Sequence, residues 1–332
     1  MPPERLHAMG IDRVILRVFQ NDPGHGGLFF ENSLFRVLSP VLERIGDTFA
    51  GSGVDLYAWM ITRQFNWLGR SLLYDNEYHR GRLRTVDKLD LFNTEAVNQL
   101  TAVFGELAGK RIDGILIQDD LFLRHNEGFS LWGKAAFVDG TSWMVREEEI
   151  MERGSPQNRH WVRVKKRQII RVLRQIVAKC RSVNPRLKIG MNIYYETPLF
   201  VRHAEEWYGH NLAEILETDI DYVYLMSYHR QMREEMKLSE VENRRLFARM
   251  MERARALCGD RMIPKLQIRD WRSGRLIPRE EIDAYLQMIP DSVRRVCLTP
   301  VKPEDLSYIE AVIQADRRRT AARRNQNARR GS

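Results

Sequence analysis

Residues 111–128 read RIDGILIQDDLFLRHNEG. An apolar run of strand type ends in two adjacent carboxylates, Asp119 and Asp120, and a polar, aromatic segment follows. Asp is common at turns and helix caps, so the pair taken alone has an ordinary structural reading. Its meaning depends on whether the pattern recurs. Working outward, six more apolar runs appear: RVILRVF (13–19), VDLYAWM (54–60), LKIGMNI (187–193), YVYLMSY (222–228), MIPKLQI (262–268) and RRVCLTP (294–300). Between them lie stretches of helical period, such as Trp161 to Val183 and Glu234 to Cys258. Strands that alternate with helices mark a parallel sheet with crossover helices. Seven repeats in one chain favour a closed arrangement, so the expected fold class is α/β, a TIM-like (β/α) barrel of seven β/α units. Residues 1–315 form that single domain in this reading, and 316–332 form a basic, disordered tail.

The segments after the strands say which face works. QNDPGHGGLFFEN follows the first strand, a segment of 28 residues from Ile61 to Lys88 the second, and DDLFLRHNEGFSLWGKAAFVDGTSWM the third. The segments entering the strands, such as SVNPR before residue 187, are short turns. In an α/β barrel the active site lies at the carboxyl ends of the strands, and the extra chain length lies there.

At 332 residues and 43% hydrophobic the chain can bury a large core. No apolar run approaches the roughly 18 to 20 residues needed to span a bilayer, and no apolar segment with a small-residue cleavage site opens the chain. That start predicts either a cytoplasmic protein or a domain detached from something upstream. Cys180, Cys258 and Cys297 are too widely spaced for a disulfide framework or a metal cluster and read as buried apolar residues. The net charge of +9 raises a nucleic-acid reading, but the tail from Asp316 to Ser332 carries seven Arg and one Asp. Without it, 46 basic residues face 43 acidic ones, a net +3. No specific nucleic-acid partner is expected; the tail suits contact with an anionic surface.

The strand ends and their loops hold Trp59, Trp67, Trp132, Trp143 and Trp271, with Tyr57, Tyr74, Tyr194, Tyr195 and Tyr228. Aromatic faces beside carboxylates suit a carbohydrate, whose ring stacks while its hydroxyl rim needs donors and acceptors. Glycoside hydrolysis uses an acid to protonate the leaving oxygen and a second group at the anomeric carbon, with carboxyls roughly 5 Å apart in retaining and about 6.5 to 9.5 Å apart in inverting enzymes. Adjacent residues at a strand end point to opposite sides. One of Asp119 and Asp120 therefore faces the cleft while the other supports it, and the second carboxylate comes from Glu127, Glu196 or Asp270. Asp119, Asp120, His125 and His229 show no metal-ligand spacing, and neither a metal nor another cofactor is expected.

The ordered set GIDRVILRVFQNDPGHGG, VDLYAWM, IDGILIQDD, PRLKIGMNIYYETPL, DYVYLMSY and LQIRDW resembles glycoside hydrolase family 153, the carboxyl-terminal domain of bacterial poly-β-1,6-N-acetyl-D-glucosamine N-deacetylases. The resemblance spans roughly residues 9 to 310 in collinear order. It implies a hydrolase that binds and cleaves partially deacetylated poly-glucosamine exopolysaccharide of the biofilm matrix. It places the family's catalytic acid on Asp119, its second carboxylate on Asp120, and an aromatic sugar platform on Trp271. Tyr57, Trp59 and Asn192 also match. The chain departs from the family pattern at Gln118 (His in the family), His125 (Asp), Met191 (Arg), Lys265 (Glu) and in LTPV from Leu298 to Val301. The expected substrate-contacting set is thus Tyr57, Trp59, His125, Glu127, Asn192, Tyr228, Lys265 and Trp271. Two other readings compete: a barrel that binds carbohydrate without turnover in exopolysaccharide production or export, and a chitinase-like hydrolase using Asp113, Asp120 and Tyr228.

Overall fold

The computed structural model describes residues 2–69 and 73–317. The tail expected from residue 316 onward thus lies outside the described residues but for its first two positions. Seven parallel strands make one sheet: β1 (Arg13–Arg17), β2 (Asp55–Met60), β3 (Gly114–Ile117), β4 (Lys188–Tyr194), β5 (Tyr222–Met226), β6 (Met262–Gln267) and β7 (Cys297–Thr299). Each pairs with the next in chain order, which is the TIM-like topology of an α/β protein. Six of the seven apolar runs contain one of these strands, and the run at 187–193 covers all of β4 but Tyr194. Near the ends of β1 and β7 the seam is bridged by side chains, with Arg295 donating to Asp12 at 3.0 Å.

The helices pack outside. The main ones are α1 (Val41–Phe49), α2 (Thr94–Ala108), α3 (Pro156–Val183), α4 (Leu212–Leu216), α5 (Glu240–Cys258) and α6 (Arg279–Leu286). Local chemistry sets their starts. Asn93 caps α2 by accepting from the Glu95 and Ala96 amides, and Ser155 caps α3 with Pro156 in its first position. α3 buries Ile169, Val172, Leu173, Ile176, Val177 and Cys180 along one stripe. The helical stretch expected from Glu234 is in fact two helices. His229–Glu235 ends before Lys237, whose φ is 52°, and Ser239 with Glu242 forms a capping box that starts α5.

Alternation along the strands divides the core in two. Ile115, Ile117, Ile189, Met191, Ile193, Val223 and Leu225 belong to the large cluster between sheet and helices. Leu116, Tyr224 and Ile263, with Ile15, Trp59, Tyr222 and Cys297, fill the inside of the sheet. The paired registers place Trp59 with Leu116, Asn192 with Tyr224, Lys265 with Met226 and Gln267 with Thr299. These side chains therefore share the inner face. Long insertions follow β2 and β3: an antiparallel hairpin, Tyr74–His79 against Arg82–Leu89, and the helices Leu131–Val138 and Glu147–Met151. They stand at the carboxyl ends, as the loop lengths imply.

Candidate active site

Where β3 ends, the two acids part. Gln118 continues the ladder, its amide donating to the Met60 carbonyl at 2.9 Å. The Asp120 carboxylate, 2% exposed, accepts from the backbone amides of Thr62 (2.9 Å), Arg63 (2.7 Å) and Gln64 (2.8 Å) and from the Thr62 hydroxyl (2.7 Å). It ties the loop after β2 to the tip of β3, the position of the supporting member of the pair. Asp119 is left partly exposed at the mouth. Burial raises its pKa above the ordinary carboxylate value, the nearby Lys265 ammonium offsets part of that rise, and the charge of Asp120 adds to it. The Tyr194 hydroxyl donates to the Asp119 carbonyl at 3.0 Å and so pins the backbone that carries the acid.

Below the acid lies a polar floor. Lys265 is 3% exposed; its Nζ donates to Asn192 Oδ1 at 3.0 Å and stands 4.4 Å from the centre of the Trp59 ring. Asn192 in turn donates to the Ile117 carbonyl at 3.0 Å, so the lysine is held to the top of β3 through one side chain. Burial lowers the Lys265 pKa, and Asp119 is among the groups that oppose this. Tyr228 begins the helix after β5; burial first, then the Asp119 charge, raises its pKa. Three buried polar atoms in this region, Trp59 Nε1, Gln118 Oε1 and Gln267 Oε1, have no hydrogen-bond partner among the described residues. Buried polar groups in folded proteins are almost always paired, so inward-facing ones without partners are what a polar ligand or water satisfies.

Several expected contacts lie elsewhere. Tyr57 faces inward like Trp59 but one pleat lower, fully buried, with the Arg13 guanidinium 3.9 Å from its ring centre. It fills the floor of the fold, below the mouth. Glu127 is fully buried and paired with Arg63 (2.6 Å) and Lys88 (2.5 Å). Burial alone would raise its pKa, but Arg63 and then Lys88 pull it down to about 2. Its buried ion pairs make it an anchor of the loop after β3. His125 packs against Trp207, ring centres 4.2 Å apart, beside Arg153 and Glu206 in a small cavity lined by α3 and the helix Val201–Tyr208. It belongs to that outer wall and makes no contact with the Asp119 group. Asp270 caps its own loop through the Ser273 and Arg272 amides and pairs with Arg230 at 3.1 Å. Trp271, on the same loop, is 48% exposed and carries Arg272 over its face. Met191 points into the outer core, away from the mouth.

Among the three carboxylates weighed as the partner of Asp119, Glu196 is the one without an ion pair. Burial raises its pKa to about 7, Tyr208 donates to one oxygen at 3.2 Å, and the other is unpaired. Tyr208 stacks on Tyr194 at 4.5 Å, which connects Glu196 to the Asp119 backbone. Gln267 is the mouth residue that motif reading passed over, and Tyr194 and Gln118 were named only as a strand-end aromatic and as a departure from the family pattern; period-two counting from Asn192, Leu116 and Lys265 reaches all three. The chitinase-like constellation does not assemble, because Asp113 precedes β3 and accepts from the Leu56 amide at 2.8 Å at the opposite end of the strand. Among the described residues no three His, Cys, Asp or Glu converge as a metal site, and no helix is long and apolar enough to cross a membrane.

Comparison with solved structures agrees with this architecture. The PgaB (BpsB) glycoside hydrolase domain from Bordetella bronchiseptica superposes with a TM-score of 0.77 at 22% identity, over 94% of this chain and 91% of that one. A β-galactosidase from the psychrophilic Marinomonas ef1 superposes with a TM-score of 0.65 at 13% identity, over 94% of this chain and 56% of its own. At these identities the likeness is one of fold. No curated protein matches the chain. The sequence profile of Hypothetical glycosyl hydrolase family 13 matches residues 3–294. With the barrel and its strand-end acid in place, the chain belongs to that glycosyl hydrolase family.

Proposed function

We propose that residues 1–315 act as one hydrolase unit that cleaves an amino-sugar exopolysaccharide of the partially deacetylated poly-β-1,6-N-acetyl-D-glucosamine type, from within the chain, with Asp119 as the proton donor. The observation that carries the reading is the Asp119 carboxyl, desolvated at the carboxyl end of β3 above an inner face with unpaired polar atoms. A carboxyl whose pKa is raised keeps its proton nearer neutral pH, which is what protonation of a departing glycosidic oxygen requires. Tyr194 holds the backbone of the acid, Asp120 holds the facing loop, and Lys265, Trp59, Asn192 and Tyr228 line the site around it. Trp271 offers an exposed aromatic face on a neighbouring loop. The motif resemblance to glycoside hydrolase family 153 suggests the polymer.

Incubation with poly-β-1,6-glucosamine of defined acetylation, followed by mass spectrometry, tests the proposal. Shortened chains with the wild type and none with Asp119→Asn are expected. One observation favours a second reading, binding without turnover: an ammonium, Lys265, occupies the inner face where a second acid is otherwise expected. Under that reading the wild type retains the polymer but leaves its length unchanged.

A further inference from the structure

Among the described residues α3 is the longest helix, 28 residues, and it carries nine Lys or Arg and no Asp or Glu. Arg163, Arg167, Arg171 and Arg174 are all exposed. At about 100° and 1.5 Å per residue they fall within an arc of about 80° and form a row about 17 Å long. None of the four has a side-chain hydrogen bond, ion pair or ring contact among the described residues. The acids on the flanking helices are engaged elsewhere: Ser33 donates to Glu106, Lys166 pairs with Glu205 and Glu214, and Arg153 and Arg202 share Glu206. Like charges at i, i+4 destabilise a helix, and cations near its first turns oppose the macrodipole. Helix stability therefore does not account for the row. In α5, by contrast, the arginines alternate with Glu240, Glu242 and Glu252, and Arg244 pairs with Glu240 at 2.9 Å.

The row lies on the side of α3 opposite the stripe that packs on the core. α3 leaves the loops at the carboxyl ends of the strands and leads into β4, so the row runs down the side of the barrel and leaves the mouth uncovered. A straight row of cations on a convex wall meets a flat anionic surface along its whole length. The exposed residues of α3 include no aromatic side chain, so the stacking platform of a single-strand nucleic-acid site does not accompany the row. A partially deacetylated poly-glucosamine is itself cationic and is repelled by it. We propose that the face of α3 carrying Arg163, Arg167, Arg171 and Arg174 docks the barrel side-on to an anionic phospholipid bilayer, with the mouth left open. A guanidinium offers a phosphate two donors at once. Each basic residue near an anionic bilayer adds about fivefold in partitioning, and four add about 10²–10³-fold.

Co-sedimentation with vesicles tests it, comparing phosphatidylcholine alone with phosphatidylcholine containing phosphatidylglycerol, at low and at high salt. The wild type is expected to bind only the vesicles with the anionic lipid and to be released by salt. The quadruple variant Arg163→Gln, Arg167→Gln, Arg171→Gln, Arg174→Gln should bind about 10²–10³-fold more weakly. Its melting temperature should equal or exceed that of the wild type, because like-charge repulsion along the helix is relieved. A charge-matched variant, Arg5→Gln, Arg82→Gln, Arg249→Gln, Arg294→Gln, alters exposed residues on other elements and should stay within about fivefold of the wild type. Both are prepared with and without residues 318–332, which scores the arginines of the tail separately. Equal loss in the two variants, binding retained by the α3 variant, or no vesicle binding by the wild type overturns the inference. Row-dependent binding of RNA without binding to vesicles overturns it as well. Cleavage of a soluble oligosaccharide, followed in the same variants, should not change, so failure of docking and failure of the hydrolase reading are told apart.

Discussion

Asp119 and Asp120 are covalent neighbours in opposite environments. Asp120 meets three backbone amides and a hydroxyl, which hold its carboxylate in place. Asp119 stands partly desolvated beside a cation, which is the environment of a titrating acid. Asp119→Asn should lower kcat by about 10²–10⁴-fold while oligosaccharide affinity changes little, the loss expected when a general acid is removed; steady-state kinetics with calorimetry of the variant would measure the split. Lys265 gives the sign of the pH dependence. Its ammonium favours the ionised form of Asp119, so Lys265→Met raises the Asp119 pKa further. A reaction that needs protonated Asp119 would then keep its rate to higher pH, and the basic limb of the kcat/KM profile should move upward. A downward or absent movement would remove Asp119 from the proton-donor role.

At the scale of elements, the backbone of the loop after β2 is tied to the tip of β3 by the Asp120 carboxylate. Asp120→Ala leaves three buried amides without an acceptor, and a cost on the order of 3 kcal/mol is expected from urea unfolding. Activity should fall even under conditions where the variant stays folded, because Thr62–Gln64 and the tip of β3 lose their common tie. Strand packing explains a glycine one pleat below the site. A Cβ on Gly114 would lie 2.4 Å from the Tyr57 ring and 2.7 Å from the Lys188 carbonyl. Gly114→Ala should therefore cost about 1–3 kcal/mol through displacement of Tyr57 from its contact with Arg13, with the loss visible in thermal unfolding. The pH profile of that variant should match the wild type, since Tyr57 belongs to the packed floor.

Across the whole molecule, the buried ion pairs and the strand-end acid belong to separate charge networks. Arg63, fully buried, pairs with Asp75 and Glu127 behind the β2 and β3 loops, whereas Asp119 and Lys265 occupy the inner face. Glu127 has a folded pKa of about 2, below its unfolded value, so its contribution is present above the unfolded value and is lost as pH falls toward 2. Glu127→Gln should be less stable than the wild type at pH 7, and the gap in melting temperature should close as pH is lowered from about 4.5 toward 2. The arginine-rich residues 318–332 lie beyond the described fold. Their deletion should leave cleavage of a soluble oligosaccharide unchanged, and a loss would assign substrate contact to the tail.

The order of seven strands was legible in the sequence because period-two apolar runs and their spacing are local properties of the chain. The working face followed from the same local information, since long polar segments follow the strands and short turns precede them. The position of Asp119 at a strand end was legible too. Alternation, however, tells which side of a sheet a residue faces and says nothing of depth. Tyr57 and Trp59 share a face, yet about 7 Å along the strand separates a packed floor residue from one that borders the mouth. Nor could local pattern show where a loop folds back: Glu127 and His125 follow the acids closely in sequence, but Arg63 with Lys88 draws one into a buried cluster and Trp207 holds the other on the outer wall. Those partners lie 39 to 82 positions away in the chain. The sequence determined the scaffold and the edge that carries the long polar loops, and the tertiary structure decided which acid stays free, because only long-range contacts commit Asp120 to a loop and leave Asp119 beside Lys265.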